Sequence, residues 1–251
     1  MDIYTQFDYL CNEPFYVEGI GTLKCPTLRD IRKITYKLFS LYVNIISINY
    51  LKTIGGLEEY NSLSAEEKSA NTMFNILLST ETGLLVGILK FFISEEIEFD
   101  QSSLSFTTYN IVDNKKQIVG HIGNDNFEQF RAYLQLILGT KKDDEVTPKF
   151  KNKTAKKLFE KLQKNAQSQK KKQDENYSLD NMIKKYCTHN KVGINILNVW
   201  DMTYYQFTSM FSEYCNGRQC DFNDMMAANT FSYKKSTDYK PLEYMKKLNN
   251  N

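Results

Sequence analysis

The chain has 251 residues, enough for one large domain or two smaller ones joined by a linker. Apolar residues make up 41% of it, and 16 phenylalanines and 17 tyrosines supply large side chains, so hydrophobic cores can form. The longest apolar runs, such as residues 83–93, are too short and too interrupted to cross a bilayer, which excludes a membrane-spanning protein.

The net charge of +2 hides a basic segment. Residues 149–172 contain ten lysines and one glutamate, a charge of +9, which leaves 22 basic and 29 acidic residues elsewhere, a charge of −7. The polar start of the chain predicts no cleaved leader. The five cysteines are odd in number and irregularly spaced, so we expect free thiols in a reducing cytoplasm.

The N-terminal third predicts a small β element followed by helices. Gly19 and Gly21 permit a tight turn between two short strands. After Pro26, the pattern Thr27-x-x-Asp30 is typical of a helix start, and the apolar spacing predicts one helix from Leu28 to about Leu51. Further helices are expected from Ser64 and over 82–92.

Residues 98–122 change in character, because β-branched and aromatic residues dominate. The segments 105–112 and 117–122 flank the polar turn 113–116, which predicts a central β-hairpin. A helix capped by Asn124 or Asp125 should follow and end near Gly139.

The remainder predicts a lysine-rich linker and an all-helical C-terminal module. We therefore expect an α+β fold, mostly helical, with an α+β domain at 1–140, a linker at 141–176 and a helical module with a frayed tail at 177–251. Ser178 is the expected cap of the module's first helix.

The most distinctive feature of the module is a row of aromatic residues at spacings of 4, 3, 4 and 3. This spacing places the rings on one helical stripe, with Asp201 or Thr203 as the helix cap. Core packing is the commonest role of such a stripe, but incomplete cover would make it an interaction site. The predicted partner-binding residues are Trp200, Tyr204, Phe207, Phe211 and Tyr214.

No motif predicts catalysis or cofactor binding. The two histidines, His121 and His189, lie in no nucleophile motif, and Gly19-Ile-Gly21 lacks the third glycine of a phosphate loop. Cys187-x-His189 and Cys215-x4-Cys220 are poorly spaced for zinc, so we expect no metal site and no enzyme activity.

The lysine-rich segment lacks the residues typical of specific nucleic-acid binding. It contains no arginine and only two aromatic residues, so specific base contacts are not expected and a solvated connector is favoured. Nonspecific contact with nucleic acid stays open as an alternative.

Two segments resemble a known family. Pro26-Thr-Leu-Arg-Asp-Ile31, preceded by its short β element, resembles the N-terminal pattern of the tail assembly chaperones of long-tailed phages that infect low-GC Gram-positive bacteria. Asp201-Met-Thr-Tyr-Tyr-Gln-Phe207 resembles their C-terminal signature, Asp-Leu-Thr-x-Tyr-Gln-Leu.

The resemblance implies a non-enzymatic role in the host cytoplasm. Such chaperones bind and solubilise the tape measure protein, help tail-tube protein subunits to polymerise around it, and are absent from the mature virion. The aromatic stripe would contact this client, or a second copy in self-association. The alternative is a structural tail or baseplate component that uses the same surfaces permanently.

Overall fold

A computed structural model describes residues 4–48, 62, 64, 71–140, 176–229, 240 and 242–245. The residues after Ser64 that were predicted to start a helix, the stop at Gly55-Gly56, the lysine-rich segment and most of the tail lie outside the described residues. The chain divides into two compact units. The first comprises Met1–Lys141 with Asp201–Gln206 and Asn251, and the second comprises Lys142–Trp200 with Phe207–Asn250.

The described residues confirm an α+β fold with seven α-helices and two small sheets. The strands are β1 (Phe15–Val17), β2 (Gly21–Leu23), β3 (Glu96–Asp100), β4 (Ser105–Val112) and β5 (Lys115–Ile122). The helices are α1 (Leu28–Ile34), α2 (Tyr36–Ser47), α3 (Met73–Thr80), α4 (Thr82–Phe92), α5 (Phe127–Ile137), α6 (Leu179–His189) and α7 (Tyr204–Ala228).

The N-terminal β element forms as expected, but the helix after it is interrupted. Strands β1 and β2 pair antiparallel around Gly19, which has φ +76°. Thr35 then adopts φ +75° between α1 and α2, and its hydroxyl accepts the backbone N–H of Leu38. Because Thr35 caps α2, the single predicted helix is divided into two.

Helices α3 and α4 supply much of the first unit's core. Leu85, Ile88, Leu89 and Phe92 of α4 have no exposed surface, and the ring of Phe74 in α3 packs on Phe127 of α5. Each such side chain stabilises the fold by about 1.5–3 kcal/mol.

No single helix in the described ranges has the length and apolarity needed to cross a membrane. One pair, α3 with α4, passes on length and composition together but is bent by 116°.

The second sheet contains the predicted hairpin and one more strand. Its order is β3-β4-β5, all antiparallel, with a turn at Asp113 and Asn114, which both have positive φ. The sheet meets the N-terminal β element at Gly120, whose neighbour His121 donates its backbone N–H to the carbonyl of Gly19. Helix α5 follows, with Asn126 rather than Asn124 or Asp125 at its N-cap position. It ends at Ile137, two residues before Gly139, whose φ is +65°, close to the predicted end.

Candidate interaction surface of the C-terminal region

The first turn of α7 belongs to the first unit, and the N-termini of α1 and α7 have matching capping boxes. Thr27 and Asp30 form a capping box at α1, in which each side chain accepts the other residue's backbone N–H. Thr203 and Gln206 repeat this arrangement at α7, with bonds of 2.8 and 3.1 Å. The hydroxyl of Thr203 therefore caps α7, the second of the two predicted alternatives.

The two capping boxes are joined through their backbones. Leu28 donates its N–H to the carbonyl of Met202, and Tyr204 donates its N–H to the carbonyl of Pro26, each at 2.9 Å. Thr27 and Thr203 thus form an antiparallel bridge. We call residues 26–30 and 202–206 together the clasp.

Side chains extend the clasp on both sides. The guanidinium of Arg29 donates to Asp201 at 2.8 and 3.0 Å, and the amide of Gln206 donates to the carbonyl of Leu10 at 2.8 Å. The ring of Tyr205 packs on Tyr9. The sequence motif at 201–206 is therefore an integral part of the first unit.

Tyr204, the second ring of the predicted stripe, also packs in the first unit. Its ring meets Phe39 edge to face, with centroids 5.1 Å apart. Burial, with Tyr36 nearby, raises the pKa of Tyr204 to about 12.

The next three rings of the stripe pack within the second unit. Phe207 is fully buried, Phe211 is nearly so and Tyr214 is partly buried. Phe207 and Tyr214 both contact the ring of Tyr186 from α6, at 5.9 and 5.6 Å between centroids. These rings therefore hold α7 against α6.

Trp200, the first ring, lies in a 3-10 turn, Val199–Asp201, directly after a loop that asparagine side chains hold together. Its indole N–H donates to the carbonyl of Ile196 at 2.8 Å. Asn190 accepts the backbone N–H groups of Val192 and Ile194, and Asn198 accepts that of Asn195. We call residues 190–198 the asparagine loop.

The asparagine loop displays aliphatic side chains to solvent. Leu197 is 82% exposed and Val192 is 62% exposed, while Ile196 is half exposed. Gly193 supplies the positive φ, +80°, that the loop requires, and its carbonyl accepts the side-chain amides of Asn195 and Asn198.

The outer half of α7 adds to this exposed apolar surface. Phe222 and Met225 follow Phe211 by 11 and 14 residues, about three and four turns, so they continue the face that α6 covers earlier. Lys191 and Asp221 form an ion pair that brings the start of the asparagine loop beside this half of α7. We define the outer apolar surface as Val192, Ile196, Leu197, Phe222, Met225 and Met226.

Residues 169–249 match the model of a family described as YomV second domain. The match suggests a phage protein. Comparisons with the curated proteins and with the solved structures find no match. The matched range contains the asparagine loop, the outer apolar surface and all five rings of the predicted stripe.

The predicted stripe residues and the exposed residues are therefore largely different sets. The stripe rings have internal partners, and their partner-binding role stays a prediction that depends on the exposed edges of Trp200, Tyr204 and Tyr214. Two patterns in the sequence could have identified the outer apolar surface. Aliphatic residues lie between the asparagines at 190, 195 and 198, and Phe222, Met225 and Met226 are spaced as one helical face.

The other residues weighed for chemistry have structural contacts. The Nε2 atom of His121 lies 3.0 Å from a carboxylate oxygen of Asp125, and both side chains are exposed. Among the described residues, no three or more histidine, cysteine or acidic side chains form a group that could hold a metal ion. Burial beside Cys11 raises the pKa of the Cys25 thiol to about 12, so Cys25 is a poor nucleophile at neutral pH.

Proposed function

We propose that this protein is a non-enzymatic phage tail assembly chaperone. It binds a hydrophobic segment of the tape measure protein in the host cytoplasm, keeps that protein soluble during assembly of the tail-tube protein around it, and then leaves. The observation that supports this role most directly is the outer apolar surface, which lies in the stretch that matches a phage-derived family.

The physical argument begins with exposure. Leu197, Phe222 and Met225 are each more than 60% exposed, and the Lys191–Asp221 ion pair links the asparagine loop to the outer half of α7. Exposed apolar patches are a usual mark of a protein-binding site. Asp221, which directly precedes Phe222, is paired with Lys191. Such a surface fits a partner segment that is apolar and carries little charge.

The asparagine loop makes this surface ready for binding. Its backbone groups are already bonded to the side chains of Asn190, Asn195 and Asn198, so little conformational entropy is lost when a client packs against it. Methionines at 225 and 226 add flexible side chains that can adapt to different apolar segments.

The buried rings have a supporting role in this proposal. Phe207 and Tyr214 hold α6 on α7 through the ring of Tyr186, Phe211 stacks on Phe207, and α7 in turn carries Phe222 and Met225. The exposed edges of Trp200 and Tyr214 can extend the client contact predicted from the sequence.

Co-expression with the tape measure protein of the same phage tests the proposal. We expect the wild-type chain to keep that protein soluble and to co-purify with it, and a Leu197→Ser, Phe222→Ser, Met225→Ser variant to lose both effects. The matched control is a Phe7→Ser, Leu41→Ser variant, which changes exposed apolar residues of the first unit and should behave as wild type.

Two results would contradict the proposal. One is a tape measure protein that stays insoluble with the wild-type chain, and the other is a triple variant that solubilises it fully. Mass spectrometry of purified virions separates a chaperone, which should be absent, from a permanent tail or baseplate component.

A further inference from the structure

The β3-β4-β5 sheet has two open edges. Within the described residues, β3 pairs only with β4, and β5 pairs with β4 and touches the N-terminal β element only at Gly120 and His121. The outer edge of β3 and the Lys115–Val119 stretch of β5 therefore present backbone groups that no strand in the described chain satisfies. Open edges of this kind are ready to pair with another strand.

The hairpin also extends past its neighbour. Glu96 pairs with Tyr109, so β3 ends there and residues 110–117 form a ribbon of only two strands. Ile111 is 64% exposed on this ribbon, and Ile118, which pairs with Tyr109 at the end of the ribbon, is 72% exposed. A two-stranded ribbon is marginally stable in water by itself, so a further strand would stabilise it.

The two edges carry opposite charge. The sequence of β3 is Glu-Ile-Glu-Phe-Asp, and β5 begins Lys-Lys-Gln-Ile-Val. Glu98 and Lys116 already form an ion pair across the sheet, and the Lys116 ammonium lies 4.7 Å from the ring centroid of Tyr109. Glu96 and Lys115 are exposed and take part in no ion pair within the described chain.

Charge decides which edges can meet. Pairing β3 with the β3 of a second copy sets acidic side chains against acidic ones, and pairing two β5 edges sets lysines against lysines. Charged side chains on edge strands normally prevent aggregation. Here one edge is acidic and the other basic, so the charges oppose pairing between two identical edges but not pairing between β3 and β5.

We propose that copies of this chain associate edge to edge, with β3 of one copy pairing with β5 of the next. The contact joins two different surfaces, so repetition builds a ring or an open filament rather than a closed two-fold dimer. Each junction continues the sheet and covers Ile118. This inference does not depend on the client-binding role of the outer apolar surface.

Sedimentation velocity of the full chain over a wide range of concentrations is the first test. We expect species heavier than the 29.4 kDa monomer, with further growth at higher concentration and less association at high salt. A Glu96→Lys, Glu98→Lys variant and a Lys115→Glu, Lys116→Glu variant should each be at least tenfold weaker in self-association. A Lys184→Glu, Lys185→Glu variant, which changes exposed lysines of α6, is the matched control and should associate as wild type.

Mixing the two edge variants gives the decisive measurement. Both have lost the internal Glu98–Lys116 ion pair, so mixing cannot repair either copy by itself. In the mixture, however, the basic β3 of one variant meets the acidic β5 of the other, and the acidic β3 meets the basic β5. We expect the mixture to recover assemblies in which the two variants alternate.

A wild-type chain that stays monomeric at every concentration overturns the proposal. Edge variants that associate like wild type, or a mixture that stays monomeric while circular dichroism shows both variants folded, overturn it equally.

Discussion

Replacing Thr203 with alanine tests whether the clasp stabilises the protein. The Thr203 side chain is almost fully buried, and its hydroxyl accepts the backbone N–H of Gln206 at 3.1 Å. Loss of a helix N-cap costs about 1 kcal/mol, and a buried N–H left without an acceptor costs about 1–3 kcal/mol. We therefore expect Thr203→Ala to lower the free energy of unfolding by about 2 kcal/mol.

The capping box of α1 allows a more specific test of the clasp. Thr27 and Thr203 are joined by two backbone hydrogen bonds, so damage to one box should loosen the other. In a double-mutant cycle with Thr27→Ala, we expect a coupling free energy of at least about 0.5 kcal/mol. Thr203→Ser keeps the hydroxyl and is the conservative control.

Urea unfolding supplies the assay. Trp200 is the chain's only tryptophan and adjoins the clasp at Asp201, so its fluorescence reports local opening while far-ultraviolet circular dichroism reports total helix. A Thr203→Ala midpoint equal to wild type, a serine variant as unstable as the alanine variant, or zero coupling with Thr27 would each refute the reasoning.

Three further predictions concern single residues. Phe207→Ala should cost about 3–5 kcal/mol of unfolding free energy, because the ring is fully buried, whereas Phe222→Ala should stay within about 0.5 kcal/mol of wild type in thermal melts. The pKa of Tyr204, about 12 in the fold, lies above the value of about 10 for a free phenol, so its contribution to stability is complete below pH ~10 and is lost as the pH rises toward 12. Tyr204→Phe should therefore flatten the alkaline part of the stability curve measured by urea titration. Gly120→Ala should destabilise the fold by at least about 1–3 kcal/mol, because an added Cβ would lie 2.3 Å from the carbonyl oxygen of Gly19. Gly123→Ala is the milder control, because a Cβ added there would meet side chains rather than backbone.

Local signals made much of the fold predictable. The Thr27 capping box, the hairpin turn at Asp113 and Asn114 and the helix end just before Gly139 each depend on residues that are neighbours in sequence. The break at Thr35 was not predictable, because the apolar period continues across it and a threonine at φ +75° is uncommon.

The candidate site was harder to predict because its members depend on distant contacts. The 4-3-4-3 row placed Tyr204 to Tyr214 on one helix correctly, whereas Trp200 precedes α7 in a 3-10 turn. Spacing alone cannot distinguish the rings that pack on α6 from side chains that face solvent. Only the folded chain shows that Phe207 is buried while Phe222, four turns further along, is exposed. The assignment of 201–206 to the first unit depends on Pro26, Leu28 and Leu10, which lie far away in sequence.

The clasp also changes what the family resemblance means. The two segments that carry it, 26–31 and 201–207, contact each other, and almost every matched residue in them has a structural task. Asp201 pairs with Arg29, Thr203 caps α7, and Gln206 completes the capping box while its amide bonds to Leu10. In this chain the two segments thus serve an arrangement in which the last helix begins inside the first unit. Under the proposed function, client choice depends on residues outside these two segments. Exchanging the 190–198 loop with that of a tail assembly chaperone of known client should therefore change the client bound and leave the unfolding free energy nearly unchanged.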